Sequence, residues 1–219
     1  LAEAARAATP AVQAARAALP PPSLWDVANG PAIRLRAGTL APAAAAAGEP
    51  PVHARPSARG YPWLVLFDGP IQPEWRAALE AAGTTFRAYL PDNTLLVEAP
   101  AEALERISKL PHVHWSGEYR PALKLQPLLA SLARREPDLP LPVTIQTFAP
   151  EDVGALADQL AAAGGSGIQA TAGRRWGLVR GVLPARAAVE LAARPEVQWV
   201  EHYEMPRPLN DFALASDRL

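Results

Sequence analysis

The sequence predicts an α+β protein in which one β-α-β-β-α-β unit occurs twice in tandem. The first observation behind this is a repeat. Pro111-His112-Val113-His114-Trp115-Ser116-Gly117-Glu118-Tyr119 returns as Pro195-Glu196-Val197-Gln198-Trp199-Val200-Glu201-His202-Tyr203, a P-x-V-x-W-x-x-x-Y pattern at an offset of 84 residues. The second is that the match extends upstream. Pro100, Ala101, Ala103 and Ile107 align with Pro184, Ala185, Ala187 and Leu191 at the same offset, and Phe67, Leu79, Ala82 and Gly83 with Phe148, Leu160, Ala163 and Gly164 at 81. The third is the alternation, inside each copy, of short β-rich runs with segments of helical spacing.

In the first copy, Trp63 to Phe67 is a continuous apolar run of strand length, stopped by Asp68-Gly69-Pro70. Trp75, Ala78, Leu79 and Ala82 then fall on one helical face that Gly83 ends. Thr84 to Leu90 and Thr94 to Glu98 read as a hairpin turning at Pro91-Asp92-Asn93. Pro100 suits the first turn of a second helix carrying Ala103, Leu104, Ile107 and Leu110, and Val113 opens the last strand. The second copy repeats the order: Val143 to Phe148, a helix with Val153, Leu156 and Leu160, a strand near Ile168, Trp176 to Leu183, a helix from Ala185, and Val197 to Val200. Right-handed crossovers then place both helices on one face of a four-stranded antiparallel sheet, the ferredoxin-like arrangement, twice over.

This organisation divides the chain into an Ala/Pro-rich arm (1–60), a first unit (61–122), a linker (123–140), a second unit (141–205) and a C-terminal tail (206–219). The arm reads as a tether. It holds an alanine-rich helix over 1–19 broken at Pro10, a short strand at 32–36, and an Ala/Pro run from Ala41 to Ser57. Ser131 to Arg135, in the linker, has room for a turn or two of helix.

Composition narrows the function. The 219 residues are 49% hydrophobic, enough for real cores, although alanine inflates that share. A formal net charge of −1 gives no electrostatic reason to expect nucleic acid or an anionic membrane as partner. There is no cysteine, so disulfide and thiolate chemistry are excluded, and no apolar run approaches the roughly 20 residues of a membrane helix. The chain begins at Leu1, with no initiating Met and no basic-then-apolar signal, which suggests that an upstream piece has been removed.

The residues show no catalytic constellation. The serines lack a nucleophile-elbow context. His112 and His114 face the same side of one strand, but Glu118 is the one nearby acid and the second copy has neither histidine, so solvated strand-edge histidines are expected and no metal. Gly164-Gly165-Ser166-Gly167 follows a helix where a phosphate cradle would precede one, so a loop is expected and no cofactor. Arg134-Arg135 and Arg174-Arg175 fall in predicted loops and read as solvated. Trp176 and Phe67 have the chemistry to stack bases, yet core packing accounts for them equally well.

The first copy resembles a known family. Trp63 to Ile71, then Trp75 and Leu79, then Tyr89-Leu90-Pro91-Asp92-Asn93, then Leu110 to Trp115 look like the N-terminal pro-region of bacterial subtilisin-like serine proteases. Ile33 to Thr39 is similar to its extended lead-in. The second copy departs at the turn, where Gly173-Arg174-Arg175 stands in place of Pro-Asp-Asn. The protease's own Asp-Thr-Gly, His-Gly-Thr and Gly-Thr-Ser motifs are absent. The resemblance implies a ferredoxin-like fold and a non-catalytic chain within a zymogen. It also implies a role as intramolecular chaperone and inhibitor of a protease domain in cis, downstream of Leu219, secreted or periplasmic. A sheet face would dock on that domain, with Trp115, Glu118 and Tyr119, or Trp199, Glu201 and Tyr203, at its edge. The tail, with Ser216, Asp217, Arg218 and Leu219, would add a strand in the substrate cleft. Two other readings stand beside it. One is a stand-alone secreted binding module or inhibitor acting in trans. The other is a regulatory domain holding a small molecule between paired units, with the Gly-rich loop as its one candidate.

Overall fold

The computed structural model describes residues 2–19, 32–42, 57 and 59–204. Most of the Ala/Pro run and the tail residues Ser216, Asp217, Arg218 and Leu219 lie outside them. The chain is α+β. Helix α1 (Ala2–Ala17) leads to a two-stranded hairpin, β1 (Ile33–Leu35) and β2 (Gly38–Leu40). The first larger sheet follows: β3 (Tyr61–Phe67), α2 (Pro73–Ala81), β4 (Thr85–Leu90), β5 (Thr94–Ala99), α3 (Ala101–Ser108) and β6 (Val113–Glu118). A 3₁₀ turn, Pro121–Lys124, and helix α4 (Pro127–Arg135) lead to the second. That sheet is formed by β7 (Pro140–Thr147), β8 (Ser166–Ala172), β9 (Gly177–Pro184) and β10 (Val197–His202), with α5 (Val153–Ala162) and α6 (Ala185–Ala192) in the crossovers.

Both larger sheets are four-stranded and antiparallel, ordered β4-β5-β3-β6 and β8-β9-β7-β10, so strands of like position in the two copies occupy like places. The turn between β4 and β5 has Asp92 and Asn93 at φ 63° and 57°, the left-handed pair that fits a hairpin's twist. Helices α2 and α5 end alike. Gly83 and Gly164 sit at φ 90° and 82°, and the next residue's N–H returns to the carbonyl of Leu79 or Leu160. The final strands share a bulge as well. Val113 pairs with Phe67 and Trp115 with Leu66, while Val197 pairs with Thr147 and Trp199 with Gln146.

That pairing corrects the alignment of Phe67 with Phe148. Phe67 is the counterpart of Thr147, and Phe148 that of Asp68: the N–H of Asp68 bonds the carbonyl of His112, and that of Phe148 the carbonyl of Glu196. The phenylalanines accordingly point into different cores. Phe67 stacks on Trp75 at 5.6 Å beneath the helices of the first sheet. Phe148 lies with Leu64, Leu96 and Tyr119, on the opposite face of that sheet.

Two expectations about the connecting segments also change. The helix of the arm runs unbroken through Pro10, although proline removes one backbone donor. Ala8, Val12 and Ala15 are buried against α4 and β7, within the core of the second sheet. Small side chains let the helix axis approach closely, and this packing holds a segment that reads as a tether by composition. The linker, for its part, contains the nine-residue helix α4, whose Leu128, Leu129 and Leu132 enter the same core. Arg134 and Arg135 are its last turn and not a loop.

Candidate functional site

The outer faces of the two sheets, away from α2, α3, α5 and α6, are built on one plan and filled with opposite chemistry. On the first sheet, Leu64 and Leu96 project outward and are buried, with Ala88, Leu90 and Trp115 around them. Their counterparts by strand pairing on the second sheet are Thr144 for Leu64, Arg180 for Leu96 and Gln169 for Ala88. An apolar face needs a cover, and the chain supplies it: Leu35 and Leu40 of the β1–β2 hairpin, Leu123 of the 3₁₀ turn and Phe148 of the second copy pack there. The second sheet's outer face stays partly open. Gln146, Leu178 and Arg180 are half-buried, and Gln169 and Thr171 are exposed.

The hairpin is fixed to both sheets by arginines. Arg34 grips the carboxylate of Asp92, with Nη2–Oδ1 at 2.7 Å and Nε–Oδ2 at 2.9 Å, and its backbone N–H bonds the same group at 3.1 Å. The hydrogen bonds from Arg34 hold the Asp92 carboxyl below the usual carboxylate range. Arg36, at the hairpin's turn, lies 5.6 Å over the ring of Trp199 and 3.8 Å from Glu201.

Of the residues expected at a docking edge, Trp115, Tyr119, Trp199, Glu201 and Tyr203 fall on these outer faces, whereas Glu118 pairs with Trp63 on the helix side of the first sheet; most are engaged within the chain. Trp115 is half-buried, its ring folded back over Gly117, where any side chain would collide with it. Glu118 and Tyr119 are buried, and burial pushes the Tyr119 hydroxyl well above its ordinary pKa. Trp199 is buried too, and its indole N–H donates to Glu201 at 2.8 Å. Glu201 therefore does by hydrogen bonding what Gly117 does by vacancy: each steadies the tryptophan two residues earlier. Tyr203 is half-buried under the guanidinium of Arg180, 4.8 Å from its ring centre.

Between the copies runs a seam of buried charge that sequence reasoning missed. Glu98, with no exposed surface, accepts a hydrogen bond from the hydroxyl of Ser57 at 2.8 Å and pairs with Arg59 at 3.2 Å and with Arg87. Arg59 reaches on to Glu151 at 3.2 Å and to Asp152, in the 3₁₀ turn Pro150–Asp152 before α5, and so ties the first copy to the second. Lys124 is wholly buried beside them. Its ammonium donates to the carbonyl of Arg194 at 3.0 Å and lies 5.8 Å from the ring of Phe148. Burial lowers its pKa to about 8 from 10.5, against the pull of Glu118, Glu196 and Glu98. The available signal for this seam was Glu98 itself, a carboxylate following the apolar run Leu95-Leu96-Val97 in its strand.

The two histidines do not share a site. His112, at φ 65° before the strand, stacks on Trp75 at 4.5 Å, while His114 Nδ1 lies 3.0 Å from Asp68. Among the described residues no cluster of His, Asp and Glu is arranged to hold a metal ion, and no helix is long and apolar enough to cross a membrane. The Gly-rich run 164–167 carries the chain from α5 into β8.

Residues 34–120 match a family described as a domain of unknown function (DUF8729). The match begins inside β1 and ends just past β6, so it takes in the hairpin and the sheet it covers as one piece. No curated protein matches the chain.

Proposed function

We propose that this chain is the non-catalytic pro-region of a secreted or periplasmic subtilisin-like serine protease, chaperoning and inhibiting a catalytic domain in cis. Both copies are ferredoxin-like in this reading. The shared strand order, in which the last strand lies beside the first and the first beside the third, supports that assignment. The observation that carries the functional reading is the contrast between the outer faces. The first is closed by the chain's own hairpin, and the second offers Gln146, Leu178, Arg180, Gln169 and Thr171 to a partner. The second sheet is therefore the docking face, with Tyr203 and Glu201 at its edge. Trp115, Glu118 and Tyr119 serve the internal packing instead. β10 ends at His202, on this same sheet, so a segment leaving it starts next to the docked enzyme. Segment 205–219 then fills the substrate cleft as an added strand. A ligand that binds only the native-like protease stabilises it by mass action, which is the physical content of chaperoning.

The test uses a subtilisin-type protease and two versions of the chain. The full chain inhibits peptide hydrolysis. A version ending at Glu204 loses at least about tenfold in potency, as expected when roughly 1.4 kcal/mol or more of contact is removed. Leu178→Asp weakens both versions. Absence of inhibition by the full chain, or hydrolysis of peptide by the chain alone, overturns the proposal. Equal inhibition by the full chain of several unrelated proteases, with no help to the refolding of a fused catalytic domain, favours the stand-alone module acting in trans.

A further inference from the structure

Among the described residues, one strand edge is left largely without protection. A strand at the border of a sheet presents unpaired backbone groups, and folded proteins guard such borders with charges, bulges or covering segments. β4 is guarded by Arg87 within it and by β1 packed alongside. β10 is capped by the chain itself: Leu125 bridges to Val200, the N–H of Gln126 bonds the Val200 carbonyl at 2.9 Å, and the side chain of Gln126 accepts from the N–H of His202. β6 carries its bulge and ends in buried Glu118. β8 has none of these beyond an early register shift. Ser166-Gly167-Ile168-Gln169-Ala170-Thr171-Ala172 contains neither charge nor proline, and every residue but Ile168 is exposed.

Its end is marked by a second feature. The hairpin closes with the N–H of Gly173 donating to the carbonyl of Trp176 at 2.9 Å, which leaves Arg174 and Arg175 at the tip. Both arginines are exposed, and neither has a hydrogen-bond or ion-pair partner among the described residues. Trp176 beside them is 44% exposed, one of two large hydrophobic side chains so open among the described residues. Hydrogen bonding alternates along an antiparallel pair, so from the Gly173–Trp176 closure the backbone groups of Thr171 and Gln169 turn to β9. Those of Ala172 and Ala170 turn outward.

We propose that the β8 edge receives an extended acidic peptide segment, which adds antiparallel to it as a fifth strand. The outward backbone groups of Ala170 and Ala172 supply the ladder. The incoming strand starts at the hairpin tip, so carboxylates at its N-terminal end meet the two unpaired guanidinium groups, and an apolar residue next to them lies on Trp176. The charge complementarity selects an acidic partner. This surface is the backbone edge of β8, whose Gln169 and Thr171 side chains belong to the outer face proposed for docking; loss of peptide binding with protease inhibition retained, or the reverse, tells failure of one proposal from failure of the other.

The probe is the acetylated, fluorescently labelled peptide Asp-Asp-Leu-Thr-Val-Thr-Val-Thr, titrated against the full chain by polarisation. It is compared with the same peptide beginning Lys-Lys and with one methylated on alternate backbone nitrogens. The acidic peptide binds at least about tenfold tighter than either, and the Arg174→Ala/Arg175→Ala variant loses a similar factor. Amide exchange at Ala170 and Ala172 slows on binding. Ala170→Pro, a change that edge strands tolerate, abolishes binding while the thermal transition persists. No binding, equal binding of acidic and basic peptides, or indifference to backbone methylation overturns the proposal. So does light scattering that finds the chain dimeric through β8, because a second copy then occupies the edge.

Discussion

Lys124 and Tyr119 put opposite pH dependences at the same seam. In the unfolded chain the lysine loses its proton near 10.5, and in the fold near 8, because burial penalises the ammonium. Below pH 8 both states are protonated and the penalty is present in full, on the order of 3 kcal/mol. Between 8 and 10.5 the unfolded state holds a proton that the folded state lacks, so stability rises with pH. Tyr119 works the other way. Its folded pKa is raised from an ordinary 10.0, so above pH 10 the unfolded chain sheds a proton that the folded chain keeps, and stability falls. Urea unfolding followed from pH 7 to 11 is expected to give maximum stability slightly above pH 10, about midway between the two unfolded-state values of 10.0 and 10.5. Lys124→Met removes the rise and Tyr119→Phe the decline. A slope between pH 8 and 10 unchanged in Lys124→Met would mean that the buried amine stays charged throughout. The sequence shows a lysine followed by a leucine at this point, and nothing in residue type announces burial; it is the meeting of the two copies that excludes water there.

Among the elements, the β1–β2 hairpin adds to the burial of Ile33, Leu35 and Leu40 a polar latch, its grip on the turn of another hairpin. Asn tolerates the left-handed conformation that Asp92 adopts, so Asp92→Asn keeps the turn and removes the charge that Arg34 binds. The expected result is faster amide exchange across 33–40 and uptake of a hydrophobic dye by the uncovered face around Leu64 and Leu96, with the sheet's own strands still protected. The same latch responds to acid. The Asp92 pKa is lowered in the fold, so its contribution is complete above the ordinary value of 3.8 and disappears as pH falls through the folded value. Hairpin exchange in the wild type should therefore move toward that of Asp92→Asn as the pH is lowered, and a wild-type hairpin whose exchange, relative to the variant's, does not respond to acid at all would rule out the carboxylate as the latch. Element type was readable from local spacing: the apolar run at 63–67, the helical face of Trp75 and Leu79, the turn at Asp92-Asn93. Partnership was not. The Ala face of α1 and the leucines of α4 look weak or ambiguous alone, because periodicity reports that a face is buried without naming what covers it. Phe148 was misaligned for a related reason. A phenylalanine one position past the strand's end looks like a displaced copy of Phe67, until strand pairing assigns it to the seam.

For the molecule as a whole, the copies are successive in sequence yet interlocked in space. The core of the second sheet takes in α1 from the far end of the chain, and the first sheet's outer face is closed partly by Phe148 from the second copy. Arg59 completes the connection, one quarter exposed and shared among Glu98, Glu151 and Asp152. Desolvated ion pairs add little net stability when intact, but breaking one strands its partner. Arg59→Met leaves Glu98 buried with Arg87 and Ser57 still bound, so the loss should be about 1–3 kcal/mol, less than for a carboxylate left wholly alone. Phe148→Ala opens a cavity against Leu64 and Leu96 and should cost about 3–5 kcal/mol. Two sheets that share core and charge in this way unfold together, so calorimetry of the wild type should give one transition whose calorimetric and van't Hoff enthalpies agree. In the Arg59→Met/Phe148→Ala double variant the seam is weakened from both its polar and its apolar side. That transition should then split, the hairpin-covered first sheet melting apart from the second. If the double variant still melts in one step with matched enthalpies, the cooperativity resides in α1 and α4, and the seam is only a contact.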